Sequence, residues 1–593
     1  MKKFLMAFLG TLAGIWFSLF IAFFGLILIV AAAGVSSLGS GKVVQVRDHS
    51  YLNLVLVGEI SDRPGQLDPM AFLRGDNKVS QGVNEIVGSI DAAATDDRIE
   101  GIVVDCRGSA AGLARRQAIV EALKRFKSAA PRKWIYAYGD MYTQGDYYVA
   151  TAADSIFINP IGQIDIHGLS GTGLYFKKLL DRLGVDVQVV KVGTYKSAVE
   201  PYILDGISAP AREQQELFLT NMWNSISGEI AMARKVSADT VNSWADGSLY
   251  AVPTEDYVKR RIADCTAYRH EFDDMLAAAT GVGSVGNLSP VTPAEYCRSN
   301  DVFKKGNGGS ADIAVLYACG DITDEMSDGI VAKDIVPLIL DLADDKDIDG
   351  LVMYVNSGGG SAFASEQIWE ALEQWKSLTG KPFFVSMSDY AASGGYYISC
   401  GADRIYAQPT TLTGSIGIFG LIPDLKGLVS DKIGITTSTV STNPNGLMPS
   451  ILEPMTPAQR SAMQAYVNRG YELFTSRCAK GRGMSIDSLR MIAEGRVWDG
   501  SEALRLGLVD ELGGLDAAIE GMAKQLGVTS WTVHNYPERK EKWYDLLVEA
   551  GIEIKSAIVR DELGEMATIY DTVNRIKGMS TLQARMEIVE VNL

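Results

Sequence analysis

The chain has 593 residues, 47% hydrophobic and 21% charged, enough for a large buried core and, at roughly 150 residues per domain, about four domain-equivalents. Its 55 lysines and arginines against 72 aspartates and glutamates leave a formal charge of −17, with no basic run, which argues against nucleic acid as a partner. The six cysteines form no C-x-x-C pair and no Cys/His cluster, so neither a metal nor another cofactor is expected, while the even count leaves bridging open.

From Phe4 to Gly41 there is no charged side chain, and two lysines precede the stretch. A bilayer-spanning helix needs about 20 apolar residues and a secretory h-region about 7–15. Residues 1–41 therefore read as an N-terminal transmembrane anchor meeting lipid through residues 4–34. The lysines hold its start in the cytoplasm and place the remainder on the other side. A cleaved signal peptide ending near Ala31-Ala32-Ala33 would export the same remainder.

Shifted by 249 residues, the sequence falls on itself without a gap. Ile99-Glu100-Gly101-Ile102-Val103 lies on Ile348-Asp349-Gly350-Leu351-Val352, and Gly145, Tyr147 and Tyr148 lie on Gly394, Tyr396 and Tyr397. The soluble part reads as a tandem duplication, with copies over 50–300 and 310–527 and a C-terminal extension over 528–593. That extension holds an amphipathic stretch from Lys540 to Val559 whose packing partner stays open. Each copy alternates short apolar runs, such as Leu351–Val355, with helical spacing, such as Ile368, Ala371, Leu372 and Trp375. The pattern predicts an α/β fold with mostly parallel sheets. Thr456-Pro457-Ala458-Gln459 supplies an N-cap, a first-turn proline and a capping-box glutamine for a helix towards Ala479, and Ser208-Ala209-Pro210 is the matching signal in the first copy.

Two turns could carry chemistry. Asn356-Ser357-Gly358-Gly359-Gly360-Ser361 follows a strand, and its glycines leave backbone amides open to an anion or an oxyanion, although a plain strand-to-helix turn would look alike. In Ala391-Ala392-Ser393-Gly394-Gly395-Tyr396, small neighbours leave the Ser393 hydroxyl unhindered, and the Gly394 amide can share an oxyanion hole at a helix start. A small-residue cap is the plain alternative. The first copy has Gln144 where the second has Ser393.

Serine needs a base, and of the four histidines only His167 lies near a glycine turn, in the other copy; a Ser-His-Asp triad stays open. A buried lysine is the better base, because desolvation brings its amine towards neutrality. Lys196, in Gly193-Thr194-Tyr195-Lys196-Ser197 after the strand-like run Val185–Val192, is the candidate, and its counterpart in the second copy is Asn445. Each copy has lost the group the other keeps.

These residues closely resemble the long, tandem-domain form of the signal peptide peptidase A family, membrane-anchored Ser–Lys serine proteases of the Clp/crotonase-like fold. The resemblance covers the anchor, both copies and the tail Gln583-Ala584-Arg585-Met586. It is carried by residues 193–201, 391–396 and Leu412-Thr413-Gly414-Ser415-Ile416-Gly417-Ile418. The resemblance implies Ser393 as nucleophile, Lys196 as base, Ser415 as the hydroxyl orienting the amine, and the amides of Gly359 and Gly394 as oxyanion donors. It also implies cleaved signal peptides and other short or unfolded apolar segments as substrates, a homotetramer, and catalytic domains on the periplasmic face of a bacterial inner membrane. Where that family often has Ser-Pro-Gly-Gly, this chain has Ser357-Gly358-Gly359-Gly360, a turn expected to be looser. The rival readings are a catalytically silent membrane scaffold and a crotonase-like acyl-CoA enzyme.

Overall fold

The computed structural model describes residues 45–64, 81–305, 310–325, 329–538, 582–586 and 590–592. The expected anchor and the Lys540–Val559 stretch lie outside them. Among the described residues no helix is long and apolar enough to cross a membrane.

The first copy is built on a parallel sheet whose main strands are β1 (Ser50–Ser61), β2 (Ile99–Ala110), β3 (Trp134–Tyr142) and β4 (Ser155–Ile164), side by side in that order. Helix α1 (Leu113–Ala129) joins β2 to β3, and α2 (Gln144–Ala150) joins β3 to β4. Further on come β5 (Asp186–Val192) and the long α3 (Ala209–Arg234).

The second copy repeats this in order. Its sheet holds β6 (Asp312–Cys319), β7 (Ile348–Ser357), β9 (Phe383–Ala392) and β10 (Arg404–Ala407), all parallel, and β8 (Gly359–Ser361) follows β7 directly. Helices α4 (Ala362–Thr379), α5 (Gly394–Ser399) and α6 (Pro457–Gly481) stand 249 residues or close to it beyond α1, α2 and α3. Leu351–Val355 and the expected α4 stripe of Ile368, Ala371, Leu372 and Trp375 are buried, as a parallel sheet covered by helices requires. The Thr456 capping box forms, with the Gln459 amide donating to Thr456 Oγ1 and the Gln459 side chain accepting from the Thr456 amide.

Three departures matter for the site. Strand β5 leaves its own copy and pairs antiparallel with β12 (Ile418–Asp424), which follows β11 (Leu412–Gly414) in the second copy. Strand β13 (Trp531–Tyr536), placed by the sequence in the C-terminal extension, lies parallel to β6 inside the second sheet, because the exposed edge of β6 offers it a full ladder. Finally, β14 (Gln583–Arg585) lies between β8 and β12, giving a six-stranded sheet to which both copies contribute.

Candidate active site

Ser393 stands at the corner between β9 and α5 with φ 55° and ψ −112°, a conformation costly for any residue with a Cβ. The corner is held from behind, since the Ser393 amide donates to the Gly414 carbonyl at 2.8 Å. The helix that follows has only six residues, so the helix dipole expected from the sequence is small; what remains is the first-turn amide of the buried Gly394.

Lys196 arrives from the other copy. Strand β5 runs along β12 from Asp186 opposite Asp424 to Val192 opposite Ile418 and releases the chain at Gly193, where φ is 108°. The following loop drops the Lys196 side chain into the second copy. Its Nζ lies 2.7 Å from Ser393 Oγ and 3.0 Å from Ser415 Oγ, and donates to the Ser415 carbonyl at 3.1 Å. Lys196 is 1% exposed, and burial alone pushes its amine well below the ordinary lysine range. A neutral amine beside a serine hydroxyl can accept the proton of that hydroxyl. The histidines stand elsewhere: His49 against Glu100, His167 beside Asp165, His534 against Asp312, and His270 stacked on Tyr268.

Residues that the sequence did not single out hold the lysine. The segment Glu494-Gly495-Arg496 crosses beneath the loop: the Tyr195 amide donates to the Glu494 carbonyl at 3.0 Å, and the Ser415 amide to the Arg496 carbonyl at 2.6 Å. Gly495, at φ 76°, lies so close that an added Cβ would stand 2.7 Å from Lys196 Cβ and 2.8 Å from its backbone nitrogen. Its only sequence signal is an isolated glycine.

The glycine turn closes the third side. Gly359, at φ 101°, packs against the Ser393 corner, and an added Cβ there would stand 2.7 Å from the Gly394 nitrogen. The turn is tighter than expected, because Ser357 Oγ accepts the Gly359 N–H at 3.1 Å and β8 is paired on both sides. Asn356, one residue upstream, is clamped by the first copy: Asp62 accepts from its Nδ2 at 2.9 Å, while Asn356 Oδ1 accepts the Tyr390 amide at 3.2 Å.

In the first copy the equivalent places are filled. Gln144 Oε1 accepts the amides of His167 and Gly168, both at 2.8 Å, and the Asp146 carboxylate accepts those of Gly108 and Ser109. Arg116 neutralises Asp146 at 3.0 Å. That pocket is stitched shut by its own side chains.

A duplicated α/β fold with a strained serine between a parallel strand and a helix, an amine at its side and a glycine turn packed against it marks a serine peptidase built on Clp-protease-like domains. Residues 127–279 and 376–529 match Peptidase family S49, and residues 314–411 match Clp protease. The chain is 35% identical to Protease 4 of Haemophilus influenzae, over 85% of this chain and 84% of that one. It is 33% identical to Protease 4 of Salmonella typhi, over 87% and 85% respectively, and 27% identical to the chloroplastic serine protease SPPA of Arabidopsis thaliana, over 92% and 78%. The chain belongs to peptidase family S49 and is a serine protease.

Proposed function

We propose that the chain is a membrane-anchored endopeptidase working through a Ser393–Lys196 dyad assembled from its two copies. Ser393 Oγ attacks the peptide carbonyl carbon as its proton passes to Lys196 Nζ. The amides of Gly394 and Gly359 receive the oxyanion, Gly359 turning from Ser357 Oγ to do so. The ammonium then protonates the leaving amine, the C–N bond breaks, and an ester remains on Ser393. Water attacks that ester while giving a proton to Lys196, and Ser393 departs with it. Ser415 holds the amine on the line to Ser393.

The observation that carries this reading is the 2.7 Å approach of a buried amine to the strained serine, each supplied by the copy that keeps it. The charge-free stretch 4–41 supports anchoring, with the domains over 50–300 and 310–527 on the periplasmic side of a bacterial inner membrane. Substrates would be short or unfolded apolar peptides such as cleaved signal peptides, met beside the bilayer by a homotetramer.

A fluorophosphonate probe tests it. The wild-type chain should be modified on Ser393, Ser393→Ala should be folded and unmodified, and Lys196→Ala should lose peptidase activity by at least about a thousandfold. A folded wild-type chain that takes up no probe would refute the reading.

A further inference from the structure

The sheet shared by the two copies contains a strand that the chemistry does not require. Strand β14 lies antiparallel to β8, with Arg585 opposite Gly359, Ala584 opposite Gly360 and Gln583 opposite Ser361; on its other side Gln583 is opposite Phe419 of β12. The Met586 amide donates to the Gly358 carbonyl at 2.8 Å, and the Ala362 amide donates to the Leu582 carbonyl at 3.2 Å. An extended peptide bound beside Ser393 would need this slot, because strand addition to a free edge is how a groove holds a peptide by its backbone. Here both edges are taken by the chain itself.

The register bears on Ser393 directly. A Cβ added to Gly359 would stand 2.1 Å from the Ala584 carbonyl oxygen, and one on Gly394 would stand 3.0 Å from it. The Ala584 carbonyl thus lies over the two glycines proposed as oxyanion donors. The Gly359 N–H does not join this ladder but points to Ser357 Oγ, so the strand is held through Gly358, Gly360 and Ala362. Ala584 is fully buried, and Arg585 pairs with Asp321 at 2.7 Å across the rim.

We propose that residues 582–586 form a substrate-mimicking strap that closes the peptide groove, and that peptides enter only as it swings out. The Arg585–Asp321 ion pair and the Met586 to Gly358 hydrogen bond set the balance between closed and open. The strap blocks the groove and is not cut, so intact mass should show no cleavage between Ala584 and Arg585. The proposal rests on Ser393 being the nucleophile of a peptidase.

The test uses the full chain with Arg585→Ala, Asp321→Ala, the swap Arg585→Asp with Asp321→Arg, and Met586→Pro. Each is followed by turnover of a fluorogenic peptide, fluorophosphonate labelling and thermal melting. Weakening the latch enlarges the open fraction, so either ion-pair variant should raise kcat/KM about two- to fivefold, chiefly through KM. The swap should return it towards wild type. Met586→Pro, which deletes a strand hydrogen bond, should raise it about five- to tenfold. A synthetic peptide of residues 580–588 should then compete with substrate on that variant. If Met586→Pro fails to fold, the ion-pair variants and the swap decide. Unchanged or reduced turnover in the ion-pair variants, with labelling and melting as in wild type, would make β14 a fixed wall and overturn the strap, as would cleavage after Ala584. Absence of labelling in every form would instead remove the peptidase reading, and the strap with it.

Discussion

Burial alone lowers the amine of Lys196, and this fixes the sign of two pH effects. The unfolded chain binds the lysine proton up to the ordinary value near 10.4, whereas the folded chain releases it well below. Between those two values stability rises with pH by about 1.4 kcal/mol per unit, and is lost again as pH falls towards the folded value. Lys196→Met removes that slope, so its stability relative to wild type should grow as pH is lowered from 10 to 7. Parallel melting curves at both pH values would contradict this. Peptidase activity in turn should rise with pH as the amine of Lys196 loses its proton, and a flat profile between pH 6 and 9 would exclude a base titrating there. Gly495 belongs to the same scale. Gly495→Ala places a methyl 2.7 Å from Lys196 Cβ at a positive φ, so it should displace the amine and lower kcat by about a hundredfold with KM little changed. Ser393 and Lys196 are legible in the sequence because each copy has lost what the other keeps. Gly495 is not, because its role is a backbone approach between segments some 300 residues apart, which no local pattern records.

Strands β5 and β12 turn a distant lysine into a neighbour of Ser393. The apolar run Val185–Val192 is readable as a strand, but its partner is not. The 249-residue shift matches it to 434–441, which is exposed and without regular structure, so the repeat supplies no equivalent strand or partner there. Strand β5 therefore pairs outside its own copy, with Val190 opposite Gly420. Val190→Pro removes a buried side chain and a potential ladder donor at about 3 kcal/mol, and should cut peptidase activity at least tenfold while the two parallel sheets keep their circular dichroism. Full activity would show that the Lys196 loop is held by Glu494–Arg496 alone. By contrast, the α6 capping box and the buried stripe of α4 follow from local spacing, and both are where the sequence puts them.

At the scale of the whole molecule the two copies are locked as well as adjacent, and the lock lies four residues from Ser393. Asp389 of β9 accepts from the amides of Ala114 and Arg115 in the first turn of α1, at 2.9 and 3.4 Å, and from Arg115 Nε at 2.5 Å. Gly112 leaves the carboxylate room, since an added Cβ would stand 2.1 Å from Asp389 Cγ. A carboxylate from one copy thus satisfies orphan donors at the start of a helix in the other, which the sequence cannot reveal because Gln-like and Asp-like caps are recognised only when they adjoin their own helix. The two partners are not equivalent in the lock. Asp389→Ala leaves the half-buried Arg115 guanidinium with its bond to the Ile60 carbonyl but without its carboxylate, and unpairs the helix amides as well, at about 3 kcal/mol, whereas Arg115→Ala leaves Asp389 with its backbone donors and should cost about half as much. Melting temperature should therefore fall further for Asp389→Ala than for Arg115→Ala, with Asp389→Asn between them. Because β9 leads directly into Ser393, kcat at a temperature where all three are folded should fall in the same order. The reverse order would mean that the ion pair, and not the cap, joins the copies.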